Sequence, residues 1–248
     1  KGPGWHCMTN AEYAAIALWC KANGYYPRGN NNYGSDHGYP HEKCRPGTVG
    51  SDGRINLGLT GSGPNSWTHD GTPNGIYGLN GDGWEWAIGL RTNNGEIQIL
   101  TGNNAAKNTA DLTAGSAEWK AILPDGTLVA PGTAGTLKID IVSGVPKIST
   151  TVKTTTSGDQ WPSTPFKDLA VESGITIPDI LKALAVFPSD NSDHGGDRFY
   201  ARNDGEKCFF RGGSWSSTSS AGVFSLSGDC PRSGSYGNVG FRPAYILL

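Results

Sequence analysis

The patterning of this chain calls for an α+β fold with short strands, few helices and long loops. Three features of its 248 residues say so. A strong helical signal stands near the N-terminus, and none as clear follows it. Short runs of aromatic and β-branched residues recur further on, bounded by Gly, Asn, Asp or Pro. The 37 glycines and 8 tryptophans, with only 17% charged residues, suit tight turns pinned by large rings. A disordered chain would be poor in aromatics.

The helix is expected from about Asn10 to Asn23. Thr9 and Glu12 form a T-x-x-E capping box, and Gly24 stops the run. Its Ala/Leu-rich body is apolar all round, which predicts a buried helix. Tyr25 to Asn80 reads as loop, dense in Gly, Asn and Pro. Trp84–Leu90 reads as a strand, then Asn93-Asn94-Gly95 as a hairpin turn into Glu96–Leu100. Ser116–Leu123 is a short helix or strand, and Pro124–Thr127 a turn. Val129–Gln160, rich in Thr, Gly, Val and Ile, looks like a β-rich insertion at about 129–160. Two short helices are expected at Pro165–Ser173 and Pro178–Val186, with Thr176 as a cap and Pro188 as the stop. Phe199–Arg202, Lys207–Arg211 and Gly240–Leu248 read as strands. The length fits a single domain over residues 1–248. Loops this long usually carry function.

The net charge is −2 and no basic stripe stands out, so no nucleic-acid partner is expected. No apolar run approaches the ~20 residues of a membrane span, so no membrane insertion is expected. Lys1-Gly2-Pro3-Gly4 reads as mid-chain sequence, so the lack of a signal peptide carries no weight. The five cysteines, Cys7, Cys20, Cys44, Cys208 and Cys230, include no C-x-x-C pair. Mostly buried, reduced thiols are expected, with a Cys7–Cys20 disulfide as the alternative.

Residues 211–245, RGGSWSSTSSAGVFSLSGDCPRSGSYGNVGFRPAY, hold the densest functional signal. The 33 residues after Trp215 contain no Lys, Glu, Gln, Met or Trp. Those five types share one property: none has a codon ending in a pyrimidine. Scrambling the first two bases of Asn codons, with the final pyrimidine kept, would produce the alphabet seen here, including a stray Cys230.

The frame R-G-G-S-W, A-G-V-F, P-R-S, V-G-F-R-P-A resembles the variable region of diversity-generating retroelement target proteins. So do Trp5–Glu12, Trp19-Cys20, Pro27–Asn32, Trp84-Glu85-Trp86, Gly89-Leu90-Arg91 and Asn94–Ile97. The resemblance implies a C-type-lectin-like fold of the formylglycine-generating-enzyme type, with a variable region at about 211–242. It implies a hypervariable ligand- or receptor-binding protein, not an enzyme, displayed at a phage tail or fibre tip or on a bacterial surface. Its partner would be a protein or glycan on a target cell, and display on a fibre would favour a homotrimer. Carried over residue by residue, the variable ligand-binding positions are Ser216, Ser217, Ser219, Ser220, Ser227, Asp229, Cys230, Gly234, Tyr236, Gly237 and Asn238. Gly228 and Thr218 are further candidates. A rigid frame carrying variable loops separates folding from recognition.

The frame itself is legible. Trp215, Val223, Phe224, Leu226, Val239 and Phe241 are expected to supply apolar anchors. Gly212, Gly213 and Gly240 suit tight backbone paths, and Arg211 and Arg242 suit clamping of carbonyls or carboxylates. A flexible Ser/Gly linker would not carry such anchors. The sulfatase-modifying enzymes of this fold type are the runner-up. Their chemistry needs cysteines after the G-G-S motif, where Ser216 and Ser217 stand, and it predicts a reactive, low-pKa thiol at Cys208 or Cys230. A plain fibre module is the third reading.

Other clusters are weaker. Asp36, His37, His41, Glu42 and Cys44 have metal-ligand chemistry but no fixed helical spacing. Asp190, Asn191, Asp193 and Asp197 offer calcium-type oxygens, but the D-x-[DN]-x-[DN]-G order is not met. No metal site or cofactor is expected, with a structural calcium in the acidic loop held open. Glu85 reads as a buried carboxylate in need of a partner.

Overall fold

The computed structural model describes residues 2–156, 158 and 160–247. Strand β1 (Trp5–Cys7) leads into helix α1 (Asn10–Ala22). The predicted capping box is formed: Glu12 N–H donates to Thr9 Oγ1 and Thr9 N–H to Glu12 Oε2. Such a cap stabilises a helix start by about 1 kcal/mol. The helix is not buried all round, however. Tyr13, Ala14, Ala17 and Cys20 form its buried face, while Ala15, Trp19 and Ala22 are exposed. Alanine tolerates either environment, so composition overstated the burial.

Residues 25 to 80 are loop apart from one turn of 3-10 helix, Asn65–Trp67. Strand β2 (Trp84–Asn93) and β3 (Glu96–Ile99) then form the expected hairpin. Asn94 and Gly95 turn it with φ of 47° and 79°, the left-handed pair that a two-residue hairpin loop requires. Next come β4 (Lys120–Ile122), β5 (Leu128–Val129), and a β-hairpin of β6 (Lys138–Val142) with β7 (Val145–Ser149), which lies in the 129–160 stretch. Then follow β8 (Ser163–Pro165) and β9 (Ala170–Val171). The helix expected at Pro165–Ser173 is therefore replaced by a 3-10 turn, Phe166–Asp168, between two short strands. Phe166 is buried in the core while Val171 continues onto β7, and strand pairing overrides the local helical signal. Helix α2 (Asp179–Ala183) is shorter than predicted. Its N-cap is Pro178 without a side-chain bond, so Thr176 is not its cap.

The chain closes with β10 (Arg198–Ala201), β11 (Glu206–Gly212), β12 (Gly222–Cys230), β13 (Val239–Phe241) and β14 (Pro243–Tyr245). Among the described residues twelve strands form one sheet, whose main path runs β8-β10-β12-β11-β2-β3-β6-β7-β9. Strand β13 adds in parallel to the start of β2, and β14 pairs with β1 instead. Helix α1 packs against β2 and β12. Tyr13, Ala17, Leu90, Phe209, Phe224 and Leu226 meet there in the core. Side chains alternate across a strand. Burial of Phe209, Phe224 and Leu226 on the α1 face thus sends Phe210, Ser225 and Ser227 to the other. Strand β12 is the main departure from the sequence reading. Part of the segment expected to be variable loop is a strand inside the sheet, flanked by β10 and β11. No helix among the described residues is long and apolar enough to cross a membrane.

Candidate binding site

The segment 211–242 is held at both ends by arginines. Arg211 is fully buried; it donates to Asn10 Oδ1 at 3.0 and 2.7 Å and to the carbonyls of Leu184 and Ala185 at 2.9 and 3.1 Å. It thereby ties β11 to α1 and to the end of α2. Arg242 forms a two-pronged pair with Glu85, at 3.0 and 2.9 Å. Burial raises the Glu85 carboxyl above its ordinary range, and Arg242 opposes that shift. Glu85 thus has the partner its sequence context demanded.

Between these anchors the backbone is pinned from outside the segment. Trp215 N–H donates to Asp82 O, Tyr33 N–H to Trp215 O, and Thr218 N–H to Asn31 O, at 2.8 to 2.9 Å. The long N-terminal loop thereby braces the turn carrying Ser216–Ser220. Ser216, Thr218 and Ser219 are exposed there, and Ser217 and Ser220 are half-buried. Gly213, at φ +87°, brings its Cα so close that a Cβ would lie 2.5 Å from Ala221 Cβ. Gly240 meets no such demand: a Cβ on it has open space.

A cavity of about 320 Å³ opens beside this turn. Ser217, Ser227, Asp229, Cys230, Tyr236 and Asn238 line it, all of them positions singled out in the sequence. They reach it from separate places: Ser217 from the turn, Ser227 to Cys230 from β12, and Tyr236 and Asn238 from the loop before β13. The cavity's aromatic wall was not foreseen. Trp84, Phe210, Tyr200 and Trp161 supply it, from β2, β11, β10 and the stretch before β8. Trp84 meets Tyr200 edge-on at 6.0 Å and lies 6.2 Å from Phe210. The signal was the Trp84-Glu85-Trp86 alternation, which puts Glu85 toward α1 and both indoles on the opposite face. Nothing in one sequence shows that Phe210 joins them.

The other predicted positions do not line the cavity. Ser216, Ser219 and Ser220 stand on the turn beside it, and Gly234 and Gly237 on the loop before β13. Ser227 and Cys230 are buried, 3% and 6% exposed, so they serve the cavity and not an open surface. The glycines divide sharply. A Cβ on Gly237 meets nothing within 4 Å, and one on Gly234 meets chiefly the movable ring of Tyr236 at 2.8 Å. On Gly228 it would lie 2.3 Å from the buried Phe209 ring. Gly228 is therefore sterically locked, whereas Gly237 has space for a side chain.

Inside the cavity, Ser227 Oγ donates to Asp229 Oδ1 at 2.7 Å. The Cys230 thiol is pushed up to about 12, first by burial and then by the Asp229 charge, and the Tyr236 hydroxyl reaches it. Tyr236 is itself raised, chiefly through that contact with Cys230. Burial also raises Cys208. A nucleophilic thiol needs the opposite shift. All five cysteines are free, which replaces the Cys7–Cys20 alternative: Cys7 Sγ faces Trp86 O and Cys20 Sγ faces His69 O.

The two donor-rich clusters are internally engaged. Asp36 accepts from the N–H groups of Gly29, Gly38 and Tyr39 and from Asn31, while Glu42 accepts from Arg28, Ser66 and Trp67. In the acidic loop Asp190 is held by Ser192 and Lys21, and Asp197 is buried beneath β12, accepting from Phe224 N–H at 2.6 Å. Among the described residues no three His, Cys, Asp or Glu side chains group as metal ligands. Neither protein-family models nor curated proteins give a match to this chain.

Proposed function

We propose that the chain is a ligand-binding protein of the diversity-generating retroelement class, with a C-type-lectin-like fold and no catalytic role. In this reading its partner is a surface molecule of a target cell, and it is displayed on a phage tail tip or a cell surface. One observation carries the reading. Side chains picked out by their codon alphabet, scattered over residues 217–238, converge on one cavity. Residues of the frame around them are sterically locked, as Gly213 and Gly228 show, while Gly237 has space to change. That is the division of labour a variable binder needs. The raised thiols of Cys208 and Cys230 weigh against the sulfatase-modifying alternative.

The test is deep sequencing of the coding region for Trp67 to Leu248 in the source population. Substitutions confined to the first two bases of pyrimidine-ending codons, at Ser216–Ser220, Ser227, Asp229, Cys230 and Gly234–Asn238, are the expected result. Gly228 should stay constant. A segment as invariant as Trp84–Leu90 would remove the retroelement reading.

A further inference from the structure

We propose that the cavity receives a Lys or Arg side chain of a protein ligand, with Asp229 as its counter-charge and the aromatic wall around its stem. This rests on the binding reading above and narrows it to one chemistry.

Among the described residues that line the cavity, Asp229 is the one carboxylate, and none is Lys or Arg. Arg202 and Lys207 lie outside that lining and share the single carboxylate of Asp204, at 3.1 Å each. Ser227 satisfies one oxygen of Asp229 but brings no charge. A ligand that covers this cavity takes Asp229 out of water. A buried carboxylate without a counter-charge is costly, and a hydroxyl supplies a hydrogen bond without removing that cost. A cationic ligand supplies that counter-charge within the cavity itself.

The walls suit the same guest. The rings of Trp84, Trp161, Tyr200, Phe210 and Tyr236 border the cavity, and ring faces attract a cation electrostatically. Long cationic side chains also bury an apolar stem beneath a charged head. The volume, about 320 Å³, lies at the lower end for ligand sites, which fits one side chain better than a branched glycan. Four of the five rings lie outside the 211–242 segment, whereas Asp229 lies inside it. The frame thus supplies a general aromatic slot, and the changeable position sets the charge of the guest.

The experiment is an NMR titration of the whole chain, following the indole N–H resonances of Trp84 and Trp161. The probes are Nα-acetyl-lysine methylamide, Nα-acetyl-arginine methylamide, the neutral Nα-acetyl-norleucine methylamide, and glucosamine. Lys and Arg amides should shift both indoles saturably and bind at least about tenfold more tightly than the norleucine amide. Asp229→Asn should erase that preference with an unchanged melting temperature. Trp161→Leu, at a ring that is 61% exposed, should weaken all the amides while leaving the fold intact. Equal binding of the norleucine amide, or a preference that survives Asp229→Asn, overturns the proposal and leaves the cavity a binding site of another class. Tighter binding of glucosamine than of either cationic amide overturns the choice of a protein ligand. If no probe moves either indole, both this inference and the assignment of the cavity as the binding site fall.

Discussion

Arg211 and Ser219 belong to the same short segment, yet the fold treats them in opposite ways. Arg211 has no exposed surface, and its guanidinium joins α1, β11 and the end of α2. Ser219 is exposed on a turn whose backbone is held by neighbours such as Thr218 N–H on Asn31 O. One position spends its side chain on the fold, and the other contributes only backbone. The lesson is that a surface becomes replaceable when its main chain is braced from elsewhere. Constraint concentrates at a few anchors, and the remaining side chains can then answer to a ligand.

Six substitutions probe that contrast, from the largest effect to the smallest. Arg211→Ala leaves Asn10 Oδ1 and the Ala185 carbonyl without their donor, while Leu184 O keeps only Asn10 Nδ2, and should cost about 3–5 kcal/mol. At roughly 2–4 °C per kcal/mol for a chain of this size, thermal melting should show a drop of about 6–20 °C. A drop of only a degree or two would mean that the anchor is dispensable and the contrast empty.

Gly228→Ala and Gly237→Ala sharpen it within the 211–242 segment itself. The first forces a methyl against Phe209 and should cost about 1–3 kcal/mol, whereas the second should stay within about 0.5 kcal/mol. Urea unfolding of the pair reads the difference directly. Equal effects would break the steric division.

Asp197 adds a pH-dependent element beneath the same strand. Burial raises its carboxyl well above the ordinary range, so the folded state keeps that proton to higher pH than the unfolded state does. Its neutral form therefore contributes stability that is fully present below the unfolded value and lost as pH rises through the folded one. Asp197→Asn stays neutral throughout. Relative to the unsubstituted chain, it should gain stability by at least about 1 kcal/mol between about pH 5 and about pH 8. A parallel pH profile for both proteins would remove Asp197 from the account.

At the far end, Ser216→Tyr and Ser219→Tyr should change unfolding free energy by less than about 0.5 kcal/mol. A larger loss from either would show that the turn is part of the frame.

Much of this was legible in the chain and some of it was not, for reasons that particular residues make plain. Thr9, Glu12 and Gly24 mark α1 because a cap is local chemistry, satisfied within one turn. Asn94-Gly95 marks the hairpin because few other residues accept two left-handed conformations in a row. The stretch Pro165–Ser173 misled because helix and strand signals compete over so few residues, and pairing with β7 and β10 decided the outcome. The long strand β12 was hidden by its own composition: Ser, Gly and Asp are poor strand formers, tolerated here because β10 and β11 hydrogen-bond to it on both sides.

The sequence by itself determined the α+β character, the first helix and the β2–β3 hairpin, and it carried the codon-alphabet signal on which the proposed variable positions rest. Those follow from local conformational preference and from codon alphabet, neither of which needs a neighbour in space. Only the tertiary structure decided that Ser217, Asp229 and Tyr236 share a cavity, that Trp84 and Phe210 wall it, and that Gly228 is barred from joining them. These are facts of strand register and of contacts between residues far apart in the chain. Such contacts form only when the whole sheet buries its core, so no single stretch of sequence carries them.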